Sequence, residues 1–276
     1  MAEKKTHIII EPGKLEKNYW RDVWEQRELV YILSWKDISV KYKQSVIGYG
    51  WSIFRPISTL LVFIFVFQNV FGKTTPGVPY ALVVLCGIIP WQFFASAISS
   101  SNESLVSNAA MISKVYFPRI FLPVSAIMIS LPDFLISIVL LFSLILFYNA
   151  GIGLPILLLP FTFLILLVLI CGISFLFSAL NVKYRDFRHI IAFFLQIGGY
   201  LSPVAYTINI IPAKWHWLYA LNPLVGLLEA IRWSVIPNYS PLNVNWYLYS
   251  VSFSVVFLLI GIRYYRKTEK GFADIL

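Results

Sequence analysis

The sequence predicts an all-α membrane protein with six transmembrane helices, an N-terminal amphipathic interface helix and two short re-entrant helices between spans five and six. Three observations predict this. Of the 276 residues 59% are hydrophobic and only 13% charged, against roughly 25% charged in an ordinary soluble domain, which argues against a water-soluble fold. The apolar residues gather in runs close to the ~20 residues that a helix needs to cross ~30 Å of hydrocarbon. The charges lie between those runs, so the net charge of +9 is read as membrane orientation and not as nucleic-acid binding.

Residues 1–49 form the first unit, a cytoplasmic amphipathic interface segment; residues 50–276 form the second, the transmembrane domain. The first unit holds no short apolar stretch ahead of a small-residue cleavage site, so no secretory signal is expected and the first apolar run serves as an anchor. Within it Trp20, Trp24, Tyr31, Trp35, Ile38 and Tyr42 recur at spacings of three, four or seven. Glu16, Arg21, Glu25, Glu28, Lys36 and Lys43 fill the other faces. This pattern predicts a helix whose aromatic stripe lies at the headgroup boundary, with Trp20, Trp24, Tyr31, Trp35 and Tyr42 as its membrane-interface residues.

The six spans are read at 51–71, 80–104, 118–148, 154–180, 190–208 and 246–264, the last rimmed by Trp246, Tyr247, Tyr264 and Tyr265 as an aromatic belt. An even number of spans puts both ends of the chain on one side. On that side fall 19 of the 22 Lys and Arg, leaving Lys73, Lys214 and Arg232 on the other. The positive-inside rule then places both termini in the cytoplasm.

Between spans five and six, residues 211–221 and 224–236 are apolar but only about a dozen residues each, too short to cross. Asn222-Pro223 between them supplies an N-cap followed by a proline in the first turn. They are read as re-entrant helices, which need protein or water around their backbone. The re-entrant gate is assigned to Asn222, Pro223, Glu229 and Arg232. Glu229 and Arg232, three apart on the second helix, either pair with each other or gate.

Chemistry-bearing motifs are sparse. Gly72-Lys73-Thr74 is the nearest approach to a phosphate loop, but Phe67 stands where GxxxxGK[ST] requires glycine. No GxSxG or HExxH is present, and the three histidines are scattered. Cys86 and Cys171 lie inside apolar runs and are read as packing residues, so no cofactor or metal is expected in this chain. Arg55, four residues into the first span, is placed to snorkel to the cytoplasmic face. Asp133 follows Pro132, fourteen residues after Arg119, or ~21 Å along a helix. It should face a protein-lined or wet interior, touching substrate or bonding a neighbouring helix. The 105–119 segment ends in Tyr116-Phe117-Pro118-Arg119, which fits either a peg for a partner or an ordinary connector.

Five stretches then add up. They are Trp35-Lys36-Asp37 through Lys41-Tyr42-Lys43-Gln44-Ser45 to Gly48 and Trp51; Lys114-Val115-Tyr116-Phe117-Pro118-Arg119 with Leu122-Pro123; Tyr184-Arg185-Asp186-Phe187-Arg188-His189; Ser202-Pro203-Val204-Ala205-Tyr206; and Leu221-Asn222-Pro223. Together, in order and over nearly the whole chain, they resemble the type-2 ABC exporter permeases of polysaccharide systems. The likeness is nearest to the Wzm-type O-antigen permeases, with capsule and teichoic-acid permeases as relatives. The resemblance implies a homodimer around a channel in the bacterial cytoplasmic membrane and two copies of a separate nucleotide-binding subunit that holds ATP and Mg. It also implies a lipid-linked glycan substrate. It makes Ser113, Lys114, Val115, Tyr116, Phe117 and Arg119 the ATPase-coupling residues. Alternatives are export of a drug or small lipid by the same architecture and, from a different class, a membrane-embedded glycan-modifying enzyme.

A glycan path needs hydrogen-bonding groups beside aromatic faces. Polar residues accompany aromatics in the first two spans, where lipid exposure of the polar groups is costly. The channel-lining expectation is therefore Phe65, Gln68, Asn69, Trp91, Gln92, Phe94, Ser96, Ser99, Ser100 and Asp133.

Overall fold

A computed structural model describes residues 19–43, 48–66, 79–151, 153–237 and 239–272. Among the described residues every regular element is helical. In chain order they are α1 (Tyr19–Glu25), α2 (Arg27–Lys43), α3 (Gly50–Phe63), α4 (Tyr80–Ser107), α5 (Ala109–Ile112), α6 (Phe121–Met128) and α7 (Leu131–Phe147). Then follow α8 (Leu158–Lys183), α9 (Phe187–Leu201), α10 (His216–Ala220), α11 (Pro223–Val235) and α12 (Val244–Thr268), with short 3-10 turns between some of them. Four stretches are long and apolar enough to cross a membrane: Tyr80–Ser107, Phe121–Phe147, Leu154–Lys183 and Val244–Gly271. Gly50–Val66 and Phe187–Leu201 are shorter apolar helices.

α4 is the axis of the fold. Every residue from 80 to 90 is buried, and α4 packs against α8, α6, α7, α3 and α11. α8 and α12 make the closest helix pair. A Cβ on Gly261 would fall on the backbone carbonyl of Gly172, so only glycine at both positions lets the two backbones touch. The predicted span at 118–148 is two helices, α6 and α7. They join at Ile129 and Ser130, where Pro132 in the first turn of α7 interrupts the backbone ladder.

Two differences from the sequence expectation concern the ends. The interface helix is broken at Gln26 into α1 and α2. Of the two segments predicted as short helices, the second forms α11, which is almost wholly buried. Residues 211–221 form only a 3-10 turn and the five-residue α10, with no buried residue in either, because nothing packs against both faces of so short a piece. α11 begins as the sequence indicates: Asn222 Oδ1 accepts from the Leu224 amide at 3.0 Å, with Pro223 in the first turn.

The described chain begins and ends at the same place. Tyr19, Phe117, Phe121, Phe175, Tyr265 and Phe272 share one buried cluster at the Ser107 end of α4, away from α11.

Candidate functional site

The candidate site is a polar cavity of about 400 Å³ bounded by the last turn of α2 and by α3, α4 and α7. Asp133 is one of its lining residues. Lys41 Nζ donates to Asp133 Oδ2 at 2.6 Å, and the Tyr42 hydroxyl donates to Oδ1 at 2.5 Å. The Ser52 hydroxyl also donates to Oδ1. Burial, and then the hydrogen bond to Asp133, push the Tyr42 hydroxyl well above the usual phenol range, so it stays protonated and donates. The Asp133 and Lys41 side chains remain 31% and 37% exposed. Gln92 and Ser96 of α4 border the same cavity, and Ser96 shares a 3.0 Å hydroxyl hydrogen bond with Ser130. Asp133 thus lines a protein-walled cavity and bonds two neighbouring helices.

Tyr42 leaves the predicted aromatic stripe. Trp20, Trp24, Tyr31 and Trp35 are all more than half exposed, whereas Tyr42 is buried. α2 lays its opposite face, around buried Ser34, along α6. Its last turn enters the bundle and carries Lys41 and Tyr42 to Asp133.

The predicted channel set divides between the two sides of α4. Gln92, Ser96 and Asp133 meet at the polar cavity. Trp91 and Phe94 face a separate apolar cavity of about 290 Å³ against α9, where Asn222 and Pro223 also lie. There the Trp91 ring covers the backbone of Gly198 and Gly199. Ser99 and Ser100 are exposed on α4, as is Phe65 just past the end of α3, while Gln68 and Asn69 lie outside the described residues. Ser52, Ser130, Ser137 and Lys41 were not singled out from sequence. Isolated serines near span ends carry no pattern, but Lys41 stands in the quoted run that leads into the first span.

The predicted gate pair is a buried clamp. Arg232, 0% exposed, donates from Nη1 to Glu229 Oε1 at 2.8 Å and from Nε to the Val83 carbonyl at 3.2 Å. Its Nη2 donates to the carbonyls of Pro203 and Val204 at 2.5 and 2.9 Å. Glu229 Oε2 accepts from Tyr239 at 3.0 Å. α11, α4 and the 202–206 turn are locked together, and Gly87 lets that turn approach, since a Cβ there would strike the Val204 carbonyl.

The predicted coupling residues also divide. Ser113, Lys114, Val115 and Tyr116 are exposed, as a docking peg requires. Phe117 is not part of an exposed peg: it is 5% exposed and packs in the cluster with Tyr19 and Phe272, because the chain turns inward at Pro118. The Arg119 amide donates to Glu269 Oε1 at 2.9 Å, and its guanidinium donates to the Glu269 carbonyl. Glu269 was not singled out from sequence.

Over most of its length the chain resembles known proteins. The family described as ABC-2 type transporter matches residues 28–236. The chain is similar to the O-antigen export system permease protein RfbA of Klebsiella pneumoniae, 31% identical over 261 residues, covering 90% of this chain and 95% of that one. It is also similar to the protein of the same name from Myxococcus xanthus, 26% identical over 77% of this chain and 82% of that one. The polysialic acid transport protein KpsM of Escherichia coli is 28% identical over 89% of this chain and 95% of its own length.

Proposed function

The chain belongs to the ABC-2 type transporter family, and on that premise we propose that it is the channel-forming membrane subunit of an ATP-driven exporter of a lipid-linked, O-antigen-like polysaccharide. The observation that carries this reading is the 31% identity over 90% of the chain to an O-antigen export permease. Family membership also speaks against the embedded-enzyme alternative. The polar cavity and the row Gln92, Ser96, Ser99, Ser100 on α4 add support, since a glycan path needs hydroxyl and amide partners inside the bundle.

ATP and Mg are assigned to two copies of a separate nucleotide-binding subunit, docked on exposed Lys114, Val115 and Tyr116. A homodimer in the bacterial cytoplasmic membrane would bring the exposed polar row of α4, flanked by α3 and α9, against its symmetry mate and enclose the conduit. The six-span arrangement is supported by four long and two shorter apolar helices and by the meeting of Tyr19 with Glu269, which fits an even count and the charge split. Cysteines at Lys73 and Asn238 should react with an impermeant reagent outside intact cells, and cysteines at Lys183 and Lys270 should not. Labelling at position 270 would reverse the topology.

The functional test is purification with a nucleotide-binding subunit whose ATP hydrolysis rises on adding a lipid-linked glycan. Replacing Lys114, Val115 and Tyr116 together by alanine should leave membrane insertion intact and lower both subunit recovery and export at least tenfold. Normal export by that variant refutes the docking assignment. A purified dimer that captures no nucleotide-binding subunit refutes the transporter reading.

A further inference from the structure

Glu269 gathers three segments that are far apart in sequence. Its Oε1 accepts from the Arg119 amide at 2.9 Å and from the Tyr19 hydroxyl at 3.2 Å. Its backbone carbonyl accepts from the Arg119 guanidinium. Arg266, 3.7 Å from Oε2, lies over the Tyr19 ring at 3.3 Å from its centroid. The side chain is only 12% exposed, so these bonds act with little competition from water.

From this knot two segments run side by side in the same direction. One is α1 and α2, from Tyr19 to Tyr42; the other is α6 and the start of α7, from Arg119 to Asp133. They touch midway, where the Ser34 hydroxyl approaches Met128 Sδ at 3.5 Å. They are tied again at the far end by Lys41, Tyr42 and Asp133. The exposed 113–116 loop enters this paired strap immediately before Arg119.

We propose that Glu269 is a positioning residue that fuses the partner-docking loop to the strap, so that displacement of the loop is delivered to the polar cavity at Asp133. The proposal rests on the transporter reading above. A displaced loop without Glu269 would shift against Tyr19 and α2, and the cavity would stay as it was. With Glu269 in place, loop, α6 and the α1–α2 pair move as one body.

The test uses the full complex with its nucleotide-binding subunit, reading subunit recovery, basal ATP hydrolysis and the stimulation by lipid-linked glycan separately. Glu269→Ala should keep recovery within twofold of the parent while stimulation and export fall at least tenfold. Combined with Asp133→Asn, the double variant should be no worse than the more impaired single variant, because both break one linkage. If the alanine variant does not assemble, Glu269→Gln keeps an acceptor oxygen and drops only the charge; a several-fold loss of stimulation is expected. Recovery and stimulation falling together in Glu269→Gln, full stimulation in either variant, or multiplicative losses in the double variant each overturn the proposal. The parent complex separates the two readings: if its ATP hydrolysis ignores lipid-linked glycan, the substrate reading has failed, whereas a responsive parent with a responsive Glu269 variant rejects only the strap.

Discussion

Arg232 and Asp133 are both ionised groups set among apolar helices, and the protein treats them in opposite ways. Arg232 is sealed from water, and its guanidinium feeds one carboxylate oxygen and three backbone carbonyls. Asp133 is partly exposed, borders a cavity and takes its partners from side chains on α2 and α3. A charge whose partners are mostly backbone carbonyls can do little but hold those segments together. One whose partners are side chains beside open space can exchange them. Ionisable residues in membrane helices are functional candidates by default; partner type and exposure separate the clamp from the working group.

The largest effect that tests this contrast is Arg232→Lys. Lysine keeps the charge but concentrates its donors on one atom, which cannot reach α4, the 202–206 turn and Glu229 together. At least two buried carbonyls then lose their partner, at ~1–3 kcal/mol each. The variant should lose about 3–5 kcal/mol, the scale for a broken buried ion pair. Recovery of monodisperse detergent-solubilised protein and its thermal midpoint would show this as poor yield and early melting. A variant that purifies and melts like the parent would make the clamp dispensable.

Asp133→Asn is next. The amide keeps one acceptor oxygen for Tyr42 or Ser52 but drops the charge opposite Lys41, and that pair is about a third exposed. The stability loss should stay near ~1–2 kcal/mol, with normal membrane yield, while export falls about tenfold. The contrast breaks if Asp133→Asn reduces yield as severely as Arg232→Lys, since Asp133 would then be a structural clamp as well.

Most of the helices were legible in the sequence because they rest on local rules. Apolar run length gave the long helices, and Asn222-Pro223 gave the start of α11. The Glu229–Arg232 spacing gave their ion pair. Tertiary packing was less legible. The carbonyls held by Arg232 come from residues 28 to 149 positions away, and backbone acceptors leave no mark in the sequence. Phe117 had the composition of an exposed peg, but Tyr19 and Phe272 at the two ends of the described chain supply the pocket that buries it. Glu269 was hidden by the same long-range meeting. The division of Trp91 from Gln92 was within reach, since successive residues on a helix of 3.6 per turn point about 100° apart, so neighbours in sequence rarely line one surface.

The smallest expected effect comes from the mirror image of the first substitution, Lys41→Arg. A single ammonium contact to Asp133 Oδ2 carries this pair, and arginine can replace it with one or two of its donors. The Lys41 side chain is more than a third exposed, so the longer guanidinium can extend toward the cavity without displacing Tyr42 or Ser52. Ion pairs in contact with water contribute only ~0–1 kcal/mol, so stability should change by less than about 0.5 kcal/mol and export by less than twofold. The same exchange of lysine and arginine is thus expected to ruin the clamp and barely touch the cavity pair. Side-by-side thermal midpoints and export rates for Arg232→Lys and Lys41→Arg measure that difference directly. Equal losses in the two variants would mean that the Asp133 site is packed as rigidly as the Arg232 site, leaving no room there for a partner exchange.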